Sequence, residues 1–319
     1  MAKSTSTTKA KTKTTNKKAP AKTAAAKTTK SSVKSKTTKS VTASKKTVAK
    51  KAPAKTVAAN VSTKKSFTSR FDQQYVIAGV VLALQAVLAG LLMKSDSVQV
   101  FMGHLTKNEL ASSATTVLAA AAHPLYELEI RWLLVVFLGV SALFAILRGT
   151  KWQQREAAGI KNGVQPLRWI DFAVTGALFF ELVGLLNGVQ DAVALKLSML
   201  SVALAAYFAW MYERENAATN KPARASLIGS QVAAAVPLLV LASTMWATYV
   251  YGMARSPWYA YAAAAAFAAW VCVVQLKLKK TTVTGKHDYV AANKSYNVLS
   301  FLARTTVAVV LIVGLYASK

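Results

Sequence analysis

Tyr75 to Met93 is a run of 19 residues without a charged side chain. At 1.5 Å of rise per residue, a helix of that length spans a hydrocarbon core about 30 Å thick. Six more apolar segments follow, at about Ile130 to Leu147, Leu167 to Asn187, Ala192 to Met211, Ser226 to Met253, Ser256 to Leu276 and Ser295 to Ser318. Seven such segments cannot pack into one water-soluble core, because a helix that is apolar all round needs lipid or protein on every side. The expected fold is an all-α membrane protein, a seven-transmembrane-helix bundle.

The charges divide the chain at about residue 70. Residues 1–70 hold 20 of the 40 Lys and Arg residues and no acid, the first being Asp72. This stretch is Lys, Thr, Ala and Ser, with KKAPAKT at Lys17 to Thr23 and again at Lys50 to Thr56. With few aliphatics and strong self-repulsion it cannot offset the loss of about 1 to 2 kcal/mol of backbone entropy per residue. Residues 1–70 are therefore expected to be a disordered basic tail, and residues 71–319 the membrane domain. It is a polyanion-binding composition, suited to anionic lipid or to nucleic acid, with the membrane surface favoured because a bilayer tethers it.

Short loops on one side of the seven segments carry twelve basic residues, among them Arg148, Lys151, Arg214, Lys277 and Lys294, against four on the other. Basic residues accumulate on the cytoplasmic side. A multi-pass protein of the cell membrane is expected, with its N-terminus cytoplasmic and its C-terminus extracellular. The long connection Lys94 to Glu129 is then external. Alternation at Val98, Val100 and Met102, and the run Thr115 to Val117, suggest one or two short strands. A connection of this length suits pairing between subunits, so a homodimer is expected through it.

Ionisable side chains at bilayer depth are costly and face the bundle interior, which makes them the first functional candidates. They are Asp171 and Glu181 in the third segment, Lys196 in the fourth and Arg304 in the seventh, with Arg168 at the inner edge. Asp171 lies roughly 7 Å in from Pro166, and Arg304 roughly 13 Å in from Ser295. An arginine leaning toward its helix N-terminus reaches back about 6 Å, which levels the two charged groups. An ion pair between Asp171 and Arg304 is expected, with Ser300 one turn before on the same face. The competing arrangement pairs Asp171 with Arg168 within one helix. For the outer charges two arrangements stand side by side: a second pair between Glu181 and Lys196, or a Lys196 that snorkels outward on its long stem. One cysteine, Cys272, and three histidines give no metal-ligand cluster and no activated nucleophile, so an enzyme is not expected.

The run Gln165, Pro166, Leu167, Arg168, Trp169, Ile170, Asp171, Phe172 resembles the N-P-x-R-W-x-E-Y motif of heliorhodopsins, the inverted seven-helix relatives of microbial rhodopsins. Gly188, Val189, Gln190 and Asp191 are similar to that family's next turn. Tyr296, Leu299, Ser300, Ala303 and Arg304 are similar to its Y-x-x-L-S-x-x-A-K signature, Gly79 and Gln85 to G-x-x-H-x-x-Q, and Ser141 with Ala142 to S-A-x-x-H. The resemblance covers about residues 70–318. It implies a rhodopsin-like bundle with Asp171 at the counterion position and Arg304 where the family's lysine carries retinal. Arg168, Trp169, Ser300 and Gln85 are the further positions it assigns to the chromophore site. The family's two histidines fall on Leu82 and Ala145.

A Schiff base needs a neutral primary amine, and a guanidinium stays protonated and delocalised. The resemblance with this substitution implies a non-pumping sensory or regulatory protein, acting through a partner not named by the sequence, with no covalent retinal. Two alternatives stand beside it: a light sensor holding retinal or another polyene noncovalently, and a transporter of ions or small molecules lined by Arg168, Asp171, Glu181, Lys196 and Arg304.

Overall fold

A computed structural model describes residues 64–107, 118–219, 222–252, 256–280 and 286–317. Eight helices and one hairpin follow in order: α1 (Lys64–Leu92), β1 (Ser97–Lys107), β2 (Leu118–Glu129), α2 (Ile130–Gly149), α3 (Gln153–Asn162), α4 (Pro166–Leu186), α5 (Ala192–Thr219), α6 (Arg224–Tyr251), α7 (Trp258–Lys280) and α8 (Lys286–Ala317). All but the short α3 are long and apolar enough to cross a membrane, so the seven expected segments are seven helices. Helix α1 begins at Lys64, inside the stretch expected to be disordered. The remainder of that tail, residues 1–63, lies outside the described residues.

Neighbours in sequence are neighbours in space. Helix α1 packs on α2, α4 on α5, α5 on α6 and α7 on α8, and contact between α1 and α8 closes the ring. Helix α4 touches α2, α5 and α7, and 67 % of its span is buried, against 28 to 44 % for the other six. That central position is why charges on α4 find partners instead of lipid. Pro166 opens the helix, where a missing N–H costs nothing. Gly163, at φ 72°, ends α3 in a left-handed turn that turns the chain into α4.

Helix α6 carries Pro237 in its interior, which frees the carbonyl four residues back. That carbonyl, on Ala233, accepts from Ser201 Oγ of α5 at 2.6 Å. The proline is therefore tolerated where lipid could offer no hydrogen bond.

The connection from α1 to α2 is an antiparallel hairpin, pairing Ser97 with Glu129 through to Lys107 with Leu118, with a bulge between Val100 and Phe101. The strand expected from Val98, Val100 and Met102 is β1; the Thr115 to Val117 expectation falls outside the described residues. Phe101 N donates to Gln190 O at 2.8 Å, which fastens the hairpin to the α4–α5 turn.

Candidate functional site

Asp171 of α4 and Arg304 of α8 meet inside the bundle, with Arg304 Nη2 2.9 Å from Asp171 Oδ1. Both are buried. Arg304 Nη2 also donates to Thr175 Oγ1 at 2.7 Å, and that hydroxyl donates to the Asp171 carbonyl one turn back. Thr175 thus fixes the guanidinium against α4. The reach-back geometry of a helical arginine is sufficient to join two helices whose Cα positions differ in depth.

The pair does not stand alone. Arg148, at the end of α2, places Nη1 3.6 Å from Asp171 Oδ2. Its Nη2 donates to Glu156 Oε1 of α3 at 2.5 Å, to Tyr75 OH at 2.8 Å and to Asn297 Oδ1 at 3.3 Å. Tyr75 OH donates in turn to Glu156 at 2.8 Å. Sequence reasoning placed Arg148 in a cytoplasmic loop, and this is corrected: its guanidinium is buried, stacked over the Tyr75 ring at 4.5 Å. Glu156 was not singled out at all, because an acid on a short polar helix reads as solvent-exposed. The signal available was its location between two apolar segments whose ends already held Arg148 and Arg168.

Arg168 does not pair with Asp171 within α4, so that competing arrangement is also corrected. Arg168 points to the other side of the helix, where Nη2 bonds Glu213 of α5 and Nη1 donates to Asn293 Oδ1 of α8 at 2.9 Å. Tyr289 OH donates to Glu213 at 3.3 Å, and the Arg168 guanidinium lies 4.8 Å from both the Trp169 and Tyr296 rings. Glu213 falls at the end of a long helix, beyond the apolar segment read from hydropathy, and was missed for that reason. Gln165 joins the two groups: its backbone N–H donates to Glu213 Oε2 at 3.0 Å, and its amide, oriented to satisfy both ends, donates to Glu156 Oε1 at 2.8 Å. Arg148, Arg168 and Arg304 are thereby matched by Glu156, Asp171 and Glu213 in one buried chain of contacts. Bringing charges into a low dielectric is costly, and full pairing is what makes it sustainable.

Glu181 and Lys196 form a separate pair, at 3.4 Å, with the lysine side chain 57 % exposed. The lysine stem runs along the outer surface while its ammonium group stays within reach of the buried Glu181 carboxylate.

A cavity of about 260 Å³ lies against the ion pair, between α1, α2 and α8. Asp171, Arg304, Ser300 and Arg148 form its polar wall; Leu82, Ala145, Ile77, Val298 and Phe301 form the apolar one. The two positions that the resemblance assigns to histidines, Leu82 and Ala145, therefore face the charged pair with hydrocarbon. Of the six positions assigned to a chromophore site, Arg304, Asp171 and Ser300 line this cavity. Arg168 and Trp169 belong to the Glu213 side, and Gln85 is half-buried on α1 with its Oε1 lacking a hydrogen-bond partner among the described residues.

On the far side of the pair, toward the hairpin, the bundle is filled by aromatic rings. Phe172 lies 4.6 Å from Trp270, and Phe179 lies 5.6 Å from Trp270 and 5.1 Å from Phe267. Gly176 lets α5 close on α4, since an added Cβ would stand 2.9 Å from Val202 Cγ1, with the Trp270 indole at 3.4 Å on the other side. Retinal does not fit these residues as a linked group. Arg304 has no amine to form an imine, and its Nη2 is held by Asp171 and Thr175. Among the described residues no cluster of His, Cys, Asp and Glu could hold a metal ion.

A comparison with curated proteins gives no match. The family model described as Heliorhodopsin matches residues 71–315, which take in every spanning helix and the whole ionic chain. This multi-pass, rhodopsin-like membrane protein belongs to the heliorhodopsin family.

Proposed function

We propose that the chain is a non-pumping sensory or regulatory membrane protein that works without covalently attached retinal. The observation that carries this reading is the unbroken run of contacts from Arg304 through Asp171 and Arg148 to Glu156, which links the middle of the bundle to α3, outside the spanning helices. Packed ionic elements have discrete arrangements, so opening the Asp171–Arg304 contact releases Arg148 and, through it, α3. The partner that reads α3 is reached from the side that carries the basic tail. Subunits pair through the hairpin, whose Met102, Leu105 and Leu125 are exposed.

Hydrogen exchange tests the coupling. Asp171→Asn is expected to speed amide exchange across residues 153–162 by tenfold or more while the α5–α6 pair keeps its native rate; unchanged exchange in α3 would overturn the link. Incubation with all-trans retinal tests the chemistry. No visible band that hydroxylamine bleaches is expected, and such a band would overturn the reading. A red-shifted band that resists hydroxylamine would leave the absence of a covalent link standing and make a noncovalently held polyene the sensor's input.

A further inference from the structure

Two of the chain's three histidines, His104 and His123, stand on the hairpin, away from the ionic chain of the bundle. In the antiparallel register Met102 pairs with His123 and His104 pairs with Ala121. Residues opposite one another in such a ladder point to the same face, as do residues two apart along one strand. Met102, His104, Ala121 and His123 therefore share one face of the hairpin. Gly103 and Leu105 alternate to the other, where a Cβ on Gly103 would stand 3.8 Å from Asp191 Oδ2 of the α4–α5 turn.

Opposite Cβ atoms in a ladder lie about 4.5 to 5.5 Å apart and diagonal ones about 7 to 8 Å, within reach of long side chains. Met102 and His123 are opposite, and His104 and His123 are diagonal. A thioether and two imidazoles at those spacings can close on one atom held between them. Ala121, opposite His104, leaves that imidazole room to swing across the ladder. All three donors are exposed, Met102 by 43 %, and neither imidazole makes a hydrogen bond or ion pair among the described residues. Along the same face, from Val98 to Thr106 and their partners on β2, there is no acid.

We infer that this face of the hairpin binds one Cu(I) ion through Met102 Sδ and the imidazoles of His104 and His123. The donor set selects the ion. A thioether is a neutral, soft ligand that favours Cu(I), and imidazole suits copper as well. Zn(II) is held by imidazole, thiolate and carboxylate, and hard divalent ions by oxygen, so a face without acid or thiol serves them poorly. The histidines read from the sequence as too few for a metal cluster become part of one once the register sets a methionine beside them. The site is complete within one chain, and it stands whether or not the ionic chain transmits a signal. Pairing of subunits through the Leu105 face leaves it open.

The test uses the full chain in mild detergent without oxygen, carrying Cys272→Ala so that the single thiol does not compete for the metal. Cu(I) is presented as its coloured bicinchoninate complex, and loss of colour reports transfer to the protein. One equivalent per chain is expected to transfer. Met102→Leu, His104→Ala and His123→Ala are each expected to weaken Cu(I) at least tenfold and, because the three side chains are exposed, to leave the melting temperature of the metal-free protein unchanged. X-ray absorption at the copper edge is expected to show one sulfur neighbour, lost in Met102→Leu. Zn(II), measured by chelator competition, is expected to bind at least tenfold more weakly than Cu(I). The inference would be overturned by the absence of transfer, by transfer that persists when both histidines are replaced, by Cu(I) binding undiminished in Met102→Leu, or by Zn(II) binding as tight as that of Cu(I).

Discussion

Asp171 is the residue on which most of the buried charge converges, since it meets Arg304 at 2.9 Å and Arg148 at 3.6 Å. Removing one member of a buried pair strands the other, at about 3 to 5 kcal/mol. Asp171→Asn is therefore expected to lower the unfolding free energy by about that amount, measured by denaturant titration in mild detergent. Adding Arg304→Met should recover part of the loss and no more, because Arg148 still faces the neutral amide. Full recovery would show that Arg148 contributes nothing to the site. The Asp171–Arg304 contact was legible in the sequence because helix rise and side-chain direction are fixed. The Arg148–Glu156 and Arg168–Glu213 contacts were not, because a charge at the end of an apolar run looks the same whether it turns to water or folds back under its neighbours.

At the scale of elements, the hydropathy pattern located all seven spanning helices, and it undercounted their length. Helix α8 starts at Lys286 and α5 runs to Thr219, each adding polar turns beyond the apolar segment. Those extra turns hold Tyr289, Asn293 and Glu213, so the missing part of the helices was also the missing part of the site. The short α3 was invisible for the opposite reason: its composition is polar, and it is held by tertiary contacts to Arg148, Tyr75 and Gln165. Helix α6 offers a separate prediction. Ser201→Ala would leave the Ala233 carbonyl, already freed by Pro237, without a donor in a region that water does not reach. The expected cost is about 1 to 3 kcal/mol, read as a lower melting temperature. Ser201→Thr, which keeps the hydroxyl, should stay near the native value. Equal losses for both would point to packing in place of the hydrogen bond.

The whole molecule joins a membrane body to an N-terminal stretch of opposite physical character. The charge count predicts that the body does not need the stretch. A chain that begins at residue 64 should keep the native melting transition and lose binding to vesicles rich in anionic lipid, and both are measurable on one preparation. A collapsed transition would make the stretch part of the fold. The six charges of the chain formed by Arg148, Glu156, Asp171, Arg304, Arg168 and Glu213 carry a further consequence. Three arginines and three acids sum to zero, so most single replacements among them leave a net charge in the low-dielectric interior. Exchange of Arg and Lys at 304 is one of the changes that conserve the sum, since both present one positive charge to Asp171. A lineage could thus gain or abandon imine chemistry through that single codon at constant interior charge, whereas Asp171 or Glu213 could be lost only together with an arginine.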